Sequence, residues 1–159
     1  MKILTIEPEH CTGCMRCELA CSYEQVGLYQ PSKSVIRVAA LEAHSSYAPF
    51  TCNQCAEGWC MTACPVDAIG ISVAGAKVVS ADQCVGCKLC TIACPYGTVF
   101  YDADSAKAVK CDLCGGDPAC ARACPTAAIQ YLDGTAQDWL GEFASERGQR
   151  DLQAASDTP

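Results

Sequence analysis

Apolar positions along the chain come in short runs, none as long as an ordinary core helix. ILTI at 3–6, VIRV at 35–38, VDAIGISV with AKVVS at 66–80, TVFYD with AVK at 98–110, and AAIQYL at 127–132 read as strands. Their β-branched and aromatic residues suit a pleated, half-buried surface. Ala74-Gly75 turns the first pair into a hairpin, and Ala103 to Ala106 turns the second. Helical signal appears only in the segments that carry cysteine. The first such segment runs from Cys17 and Cys21 through Tyr23 to Val26, with Gly27 as its stop. The others end at Pro65, Pro95 and Pro125, because proline lacks an N–H and its ring clashes with the preceding turn. Pro31 and Ser32 mark a turn, and Pro49 with Phe50 reads as a lead into the next cysteine group. The recurring order of cysteine group, proline and strand is an internal repeat whose short units need neighbours to bury their apolar faces. Residues 136–145 predict an amphipathic helix with Trp139, Leu140 and Phe143 on one face, which either folds back on the core or meets a partner. Residues 151–159 read as a disordered tail.

The 16 cysteines fall into four groups. The third, Cys84, Cys87, Cys90 and Cys94 followed by Pro95, has the spacing C-x2-C-x2-C-x3-C-P by which bacterial ferredoxins hold cubane iron–sulfur clusters. Three closely spaced cysteines wrap a loop around one cluster, and the fourth, on the helix leading away, serves a second cluster. One such group therefore implies a partner group. Cys11, Cys14, Cys17 and Cys21 repeat the spacing, with Ser22 in place of the proline. Cys52, Cys55, Cys60 and Cys64 have a middle gap widened to four residues, with Gly58 available for a tight turn. Cys111, Cys114, Cys120 and Cys124 have a gap of five, spanned by Gly115, Gly116 and Pro118.

Composition narrows the chemistry. The N-terminus MKILTIEPEH lacks the basic and apolar regions of a secretory leader, and no run has the length of a membrane span, so a cytoplasmic location is expected. Reduced cysteines in such a chain point to metal, with zinc and disulfides as alternatives. Structural zinc usually takes separated C-x2-C pairs, which four triplet-plus-one groups fit poorly. A radical enzyme using S-adenosylmethionine needs C-x3-C-x2-C, which does not occur. The net charge is −7, and four cubanes at roughly −2 each would take it to about −15, arguing against nucleic acid and anionic membrane as partners. Such a charge serves either a basic docking surface on another protein or solubility alone.

No acid–base pair or nucleophile arrangement stands out, so the chain is expected not to be an enzyme by itself. His10 and His44 are read as ordinary polar residues, since cysteine closes every site. Trp59 is expected to shield a cluster or pack in the core. Lys88 and Lys110 stand beside ligands and either raise a nearby potential or are ordinary surface lysines.

From Cys11 to about Ile129, these four groups in this order resemble the four-cluster ferredoxin-like subunits of molybdenum and tungsten oxidoreductases. The resemblance implies an α+β fold of two nested bacterial ferredoxin-like modules, with short helices and β-hairpins around four [4Fe–4S] cubanes. Residues 1–30 plus 102–132 would form the outer module, 31–101 the inner module with its spacer, and 133–159 a C-terminal helix and tail. It also implies the ligand pairing. Cys11, Cys14 and Cys17 with Cys124 would hold a first cluster, and Cys111, Cys114 and Cys120 with Cys21 a second. Cys52, Cys55 and Cys60 with Cys94 would hold a third, and Cys84, Cys87 and Cys90 with Cys64 a fourth.

Some relatives have tryptophan for one ligand of the third group and a three-iron cluster there; Cys90 is present, so a cubane is expected. The implied role is an electron wire between a molybdenum- or tungsten-pterin catalytic subunit and an acceptor, a flavoprotein or a ferredoxin-type partner, in a hetero-oligomer. In the family the first-group cluster faces the catalytic subunit. The compact size most resembles the iron–sulfur subunit of tungsten-containing aldehyde oxidoreductases. The alternative is a free polyferredoxin shuttling between enzymes.

Overall fold

A computed structural model describes residues 2–41 and 46–134. His44 and the predicted helix and tail over 136–159 lie outside those residues. The elements are β1 (Lys2–Ile6), α1 (Arg16–Val26), β2 (Arg37–Leu41), β3 (Ser46–Phe50), α2 (Trp59–Thr62), β4 (Ile69–Ile71), β5 (Lys77–Val79), α3 (Leu89–Ala93), β6 (Phe100–Asp102), β7 (Lys107–Val109), α4 (Ala119–Ala123) and β8 (Ile129–Asp133).

The strands form four antiparallel two-stranded sheets. β1 pairs with β8, from Lys2 opposite Asp133 to Ile6 opposite Ile129. The two predicted hairpins form as β4–β5 and β6–β7. The boundary drawn at 101/102 from the resemblance falls within β6. The helices also pair, α1 against α4 and α2 against α3.

α1 ends as its sequence predicts: Gly27 is left-handed (φ 70°), and its N–H donates to the Tyr23 carbonyl at 2.7 Å. Ser22 explains why this helix runs on where the others stop. It is fully buried; its hydroxyl donates to the Leu19 carbonyl at 2.9 Å and accepts from the Gln30 amide at 3.0 Å, tying down the returning loop.

Two expectations need correction. Val35 and Ile36 are buried, at 2% and 1% exposure, but they precede β2 rather than belong to it. The Ser34 hydroxyl accepts from the Ile36 amide at 3.2 Å and donates to its carbonyl at 2.7 Å, replacing the ladder there with a local turn. Pro49 and Phe50, read as a lead into the next cysteine group, instead end β3, with Pro49 opposite Val38. A two-stranded sheet leaves one edge of each strand free, so a proline there breaks no essential ladder bond. β2 is fastened to α1 by the buried carboxylate of Glu18, which accepts from the Val38 amide at 2.7 Å.

Candidate metal centres

Each cysteine group opens with the same backbone device. The residue two positions after the first cysteine is left-handed in all four: Gly13 (φ 69°), Gln54 (φ 49°), Gly86 (φ 70°) and Leu113 (φ 57°). That reversal curls the loop so that the first three thiols face one volume. Only two of the four are glycine, so sequence shows half of the device.

The fourth cysteines use a second device. In Cys64-Pro65, Cys94-Pro95 and Cys124-Pro125, the residue three positions after the cysteine is again left-handed: Asp67 (φ 50°), Gly97 (φ 63°) and Ala127 (φ 56°). The turn brings backbone donors back to sulfur; the Ala68 amide donates to Cys64 Sγ at 3.3 Å. At Cys94, burial works against the thiolate, but the Thr98 hydroxyl and the amides of Thr98, Tyr96 and Val99 outweigh it and lower the pKa. At Cys124, burial is likewise outweighed by the Thr126 and Ile129 amides, the Thr126 hydroxyl and the Ala128 amide. Burial dominates deeper in, pushing the thiols of Cys17 and Cys111 up to about 12 and raising Cys120 as well.

The thiols gather in four sets. Cys11, Cys14, Cys17 and Cys124 line about 280 Å³ of empty space walled by Met15, Val38, Pro49 and Ile129. Cys64, Cys84, Cys87 and Cys90 line about 310 Å³ walled by Val66, Ile69, Val79 and Ala108. Cys52, Cys55, Cys60 and Cys94 line a more open recess with Gln54, Trp59, Lys77 and Lys110. Of the remaining four, Cys21, Cys111, Cys114 and Cys120, three (Cys21, Cys111 and Cys120) lie in one buried cluster.

Cys17, Cys21, Cys52, Cys111 and Cys120 share one buried cluster, and Cys60, Cys64 and Cys94 pack against a second that holds Cys84 and Cys90. Two of the sets each present one exposed cysteine, Cys14 and Cys87. Among the described residues, no three His, Cys, Asp or Glu side chains converge where a single metal ion would sit. Two of the sets line pockets and a third lines an open recess, and an all-thiolate set of four around such a space fits a [4Fe–4S] core.

The other singled-out residues lie as follows. Trp59 is 55% exposed at the rim of its recess, so the core-packing reading is corrected. His10 sits at the surface, paired with Glu7 at 3.0 Å. Lys88 lines the void of the Cys64 set, its ammonium 4.1 Å from the centre of the Tyr101 ring. Lys110 is only 4% exposed, which corrects the surface-lysine reading. Sequence reasoning missed Gln54, whose amide group accepts from the Lys77 N–H at 2.8 Å and donates to the Cys111 carbonyl at 2.7 Å. Its one signal is its place in a position occupied by glycine in the two regular groups.

Known proteins share these features. Residues 43–134 match the 4Fe-4S dicluster domain, and residues 8–24 match a 4Fe-4S binding domain. The chain is 39% identical to the polyferredoxin-like subunit of aliphatic sulfonate oxidoreductase from Pyrococcus furiosus, over 55% of this chain and 50% of that protein. It is 36% identical to hydrogenase-4 component A of Escherichia coli, over 56% of this chain and 42% of that protein. The chain spans about half the length of the curated relatives it matches. A solved structure of the active site complex BamBC of benzoyl coenzyme A reductase aligns over 98% of this chain and 96% of its own, at 21% identity and a TM-score of 0.48. With more than half of its length matched by that one model, and a further 4Fe-4S match over its first cysteine group, this chain belongs to the 4Fe-4S dicluster domain family.

Proposed function

We propose that this chain is an electron-transfer subunit with four [4Fe–4S] clusters, one per thiol set, in two nested ferredoxin-like modules. It would connect a molybdenum- or tungsten-pterin catalytic subunit to a redox acceptor. The observation that carries the reading is the gathering of cysteines from distant groups into sets of four around shared pockets, with Cys14 and Cys87 exposed in two of them. The packing of α1 on α4 and of α2 on α3 supports the nested arrangement. Two relatives named as an oxidoreductase subunit and a hydrogenase component support the subunit role. The assignment to an aldehyde-oxidising tungsten enzyme rests on the family resemblance alone.

A [4Fe–4S] cluster, when bound, takes up and releases one electron at a time. The chain's part is to hold and tune each site. Cysteine thiolates bind iron, the turns after Cys64, Cys94 and Cys124 aim N–H donors at sulfur, and apolar walls limit water. These are the levers that set a cluster's potential.

Anaerobic purification from the native host, with iron, tungsten and molybdenum measured in the eluted particle, tests the role. Stoichiometric tungsten or molybdenum with a large co-eluting protein is the expected result. Iron alone on a small particle would replace it with the free polyferredoxin reading.

The pairing has its own test. Cys17→Ser and Cys124→Ser are expected to alter the same electron paramagnetic resonance signal, and Cys21→Ser and Cys120→Ser a different one. Cys17→Ser and Cys21→Ser altering one common signal would refute it.

A further inference from the structure

One charged group outside the thiol sets is buried where two of them meet. Lys110 follows β7 and immediately precedes Cys111. Its ammonium donates to the Lys77 carbonyl, to the Cys111 carbonyl at 3.3 Å and to Gln54 Oε1 at 3.4 Å. All three acceptors are neutral, and none of the ion pairs among the described residues includes this lysine. The side chain lines the recess of Cys52, Cys55, Cys60 and Cys94.

A buried cation without a counter-anion is costly to desolvate, so its placement calls for a compensating negative charge. Three oxygen dipoles hold it in position. Gln54 braces the same point through its bonds to the Lys77 amide and the Cys111 carbonyl, and so joins the loop of Cys52 to that of Cys111. The anions that face this ammonium are thiolates and whatever they ligate. In a poorly solvated site a fixed positive charge favours the more negative of two redox states.

We propose that Lys110 sets the reduction potential of the site formed by Cys52, Cys55, Cys60 and Cys94, raising it by stabilising the added negative charge of the reduced state at the junction of the two halves. This rests on the reading that the recess holds a [4Fe–4S] cluster.

The test is a redox titration of the purified holoprotein followed by electron paramagnetic resonance, with iron measured on the same samples. Lys110→Met is expected to move one midpoint negative by at least a tenfold change in the reduction equilibrium, about 59 mV for a one-electron couple. Lys110→Arg should stay near wild type. Gln54→Glu sets a carboxylate against the ammonium without removing it, and should move the same midpoint in the same direction. Lys110→Met or Gln54→Glu with full iron and every midpoint unchanged overturns the proposal. If Lys110→Met loses iron, Gln54→Glu decides by itself. A wild-type protein lacking the iron of this recess overturns the cluster reading, and the proposal with it.

Discussion

Chelating the iron from the holoprotein under anaerobic conditions is expected to abolish its cooperative fold. The reason lies in what the core is made of. Seven of the 18 buried apolar residues are cysteines and five are alanines, which leaves Val35, Ile36, Ile69, Val99, Leu113 and Ile129 as the larger aliphatic side chains of the described core. All four sheets have two strands, and an isolated two-stranded hairpin is marginal in water. α2, α3 and α4 have four or five residues each, far below the length at which a helix stands alone. Metal binding is therefore expected to supply much of the folding free energy.

Circular dichroism should show loss of the cooperative melt on iron removal and its return on anaerobic reconstitution. A native-like apoprotein that melts cooperatively would contradict this account.

The process should also depend on pH. Burial holds the thiols of Cys17 and Cys111 near 12 in the metal-free fold, against an ordinary value of 9.0. Buried without iron, these thiols keep their protons. Iron binds the thiolates, so loading releases those protons. Mild alkali should favour loading and acid should favour loss of iron, which a pH series of reconstitution yields would read directly.

Gly86→Ala is expected to lose the iron of the site formed by Cys64, Cys84, Cys87 and Cys90. Gly86 has φ +70°, and a Cβ there would lie 2.3 Å from the Ala106 carbonyl oxygen. That contact is with backbone in the β6–β7 turn, so no side chain can swing aside to relieve it. The loop must move, and with it Cys84 and Cys87. Gly97→Ala is the control. Its φ is +63°, but nothing lies within 4 Å of the added methyl, so only backbone strain of about 1–2 kcal/mol is expected. Iron per chain should fall in the first variant by the content of one site and stay at the wild-type value in the second. Equal iron in both would mean that the Gly86 loop is not held against Ala106 in the loaded protein.

The sequence by itself determined the metal chemistry and most local structure. Cysteine spacing is a covalent property of the chain, legible without coordinates; so are the ends of the helices, since Pro65, Pro95, Pro125 and Gly27 act on their own backbone. The strands of β1, the two hairpins and β8 followed from β-branched runs between turns.

Tertiary structure decided what depends on partners distant in sequence. β3 exists because Val38 and its neighbours lie opposite Pro49, against the local signal of proline. Gln54 and Leu113 take the left-handed turn that glycine marks in the regular groups; these residues are strained there, and the rest of the loop enforces the conformation. The pairing of distant cysteines came to the sequence reading by resemblance and stands as a proposal; what the tertiary structure adds is that α1 packs on α4 and α2 on α3. By sequence Lys110 is a lysine beside a ligand, able either to raise a nearby potential or to lie at the surface. Only packing buries its ammonium between two thiol sets, because burial is a property of the surroundings and not of the residue.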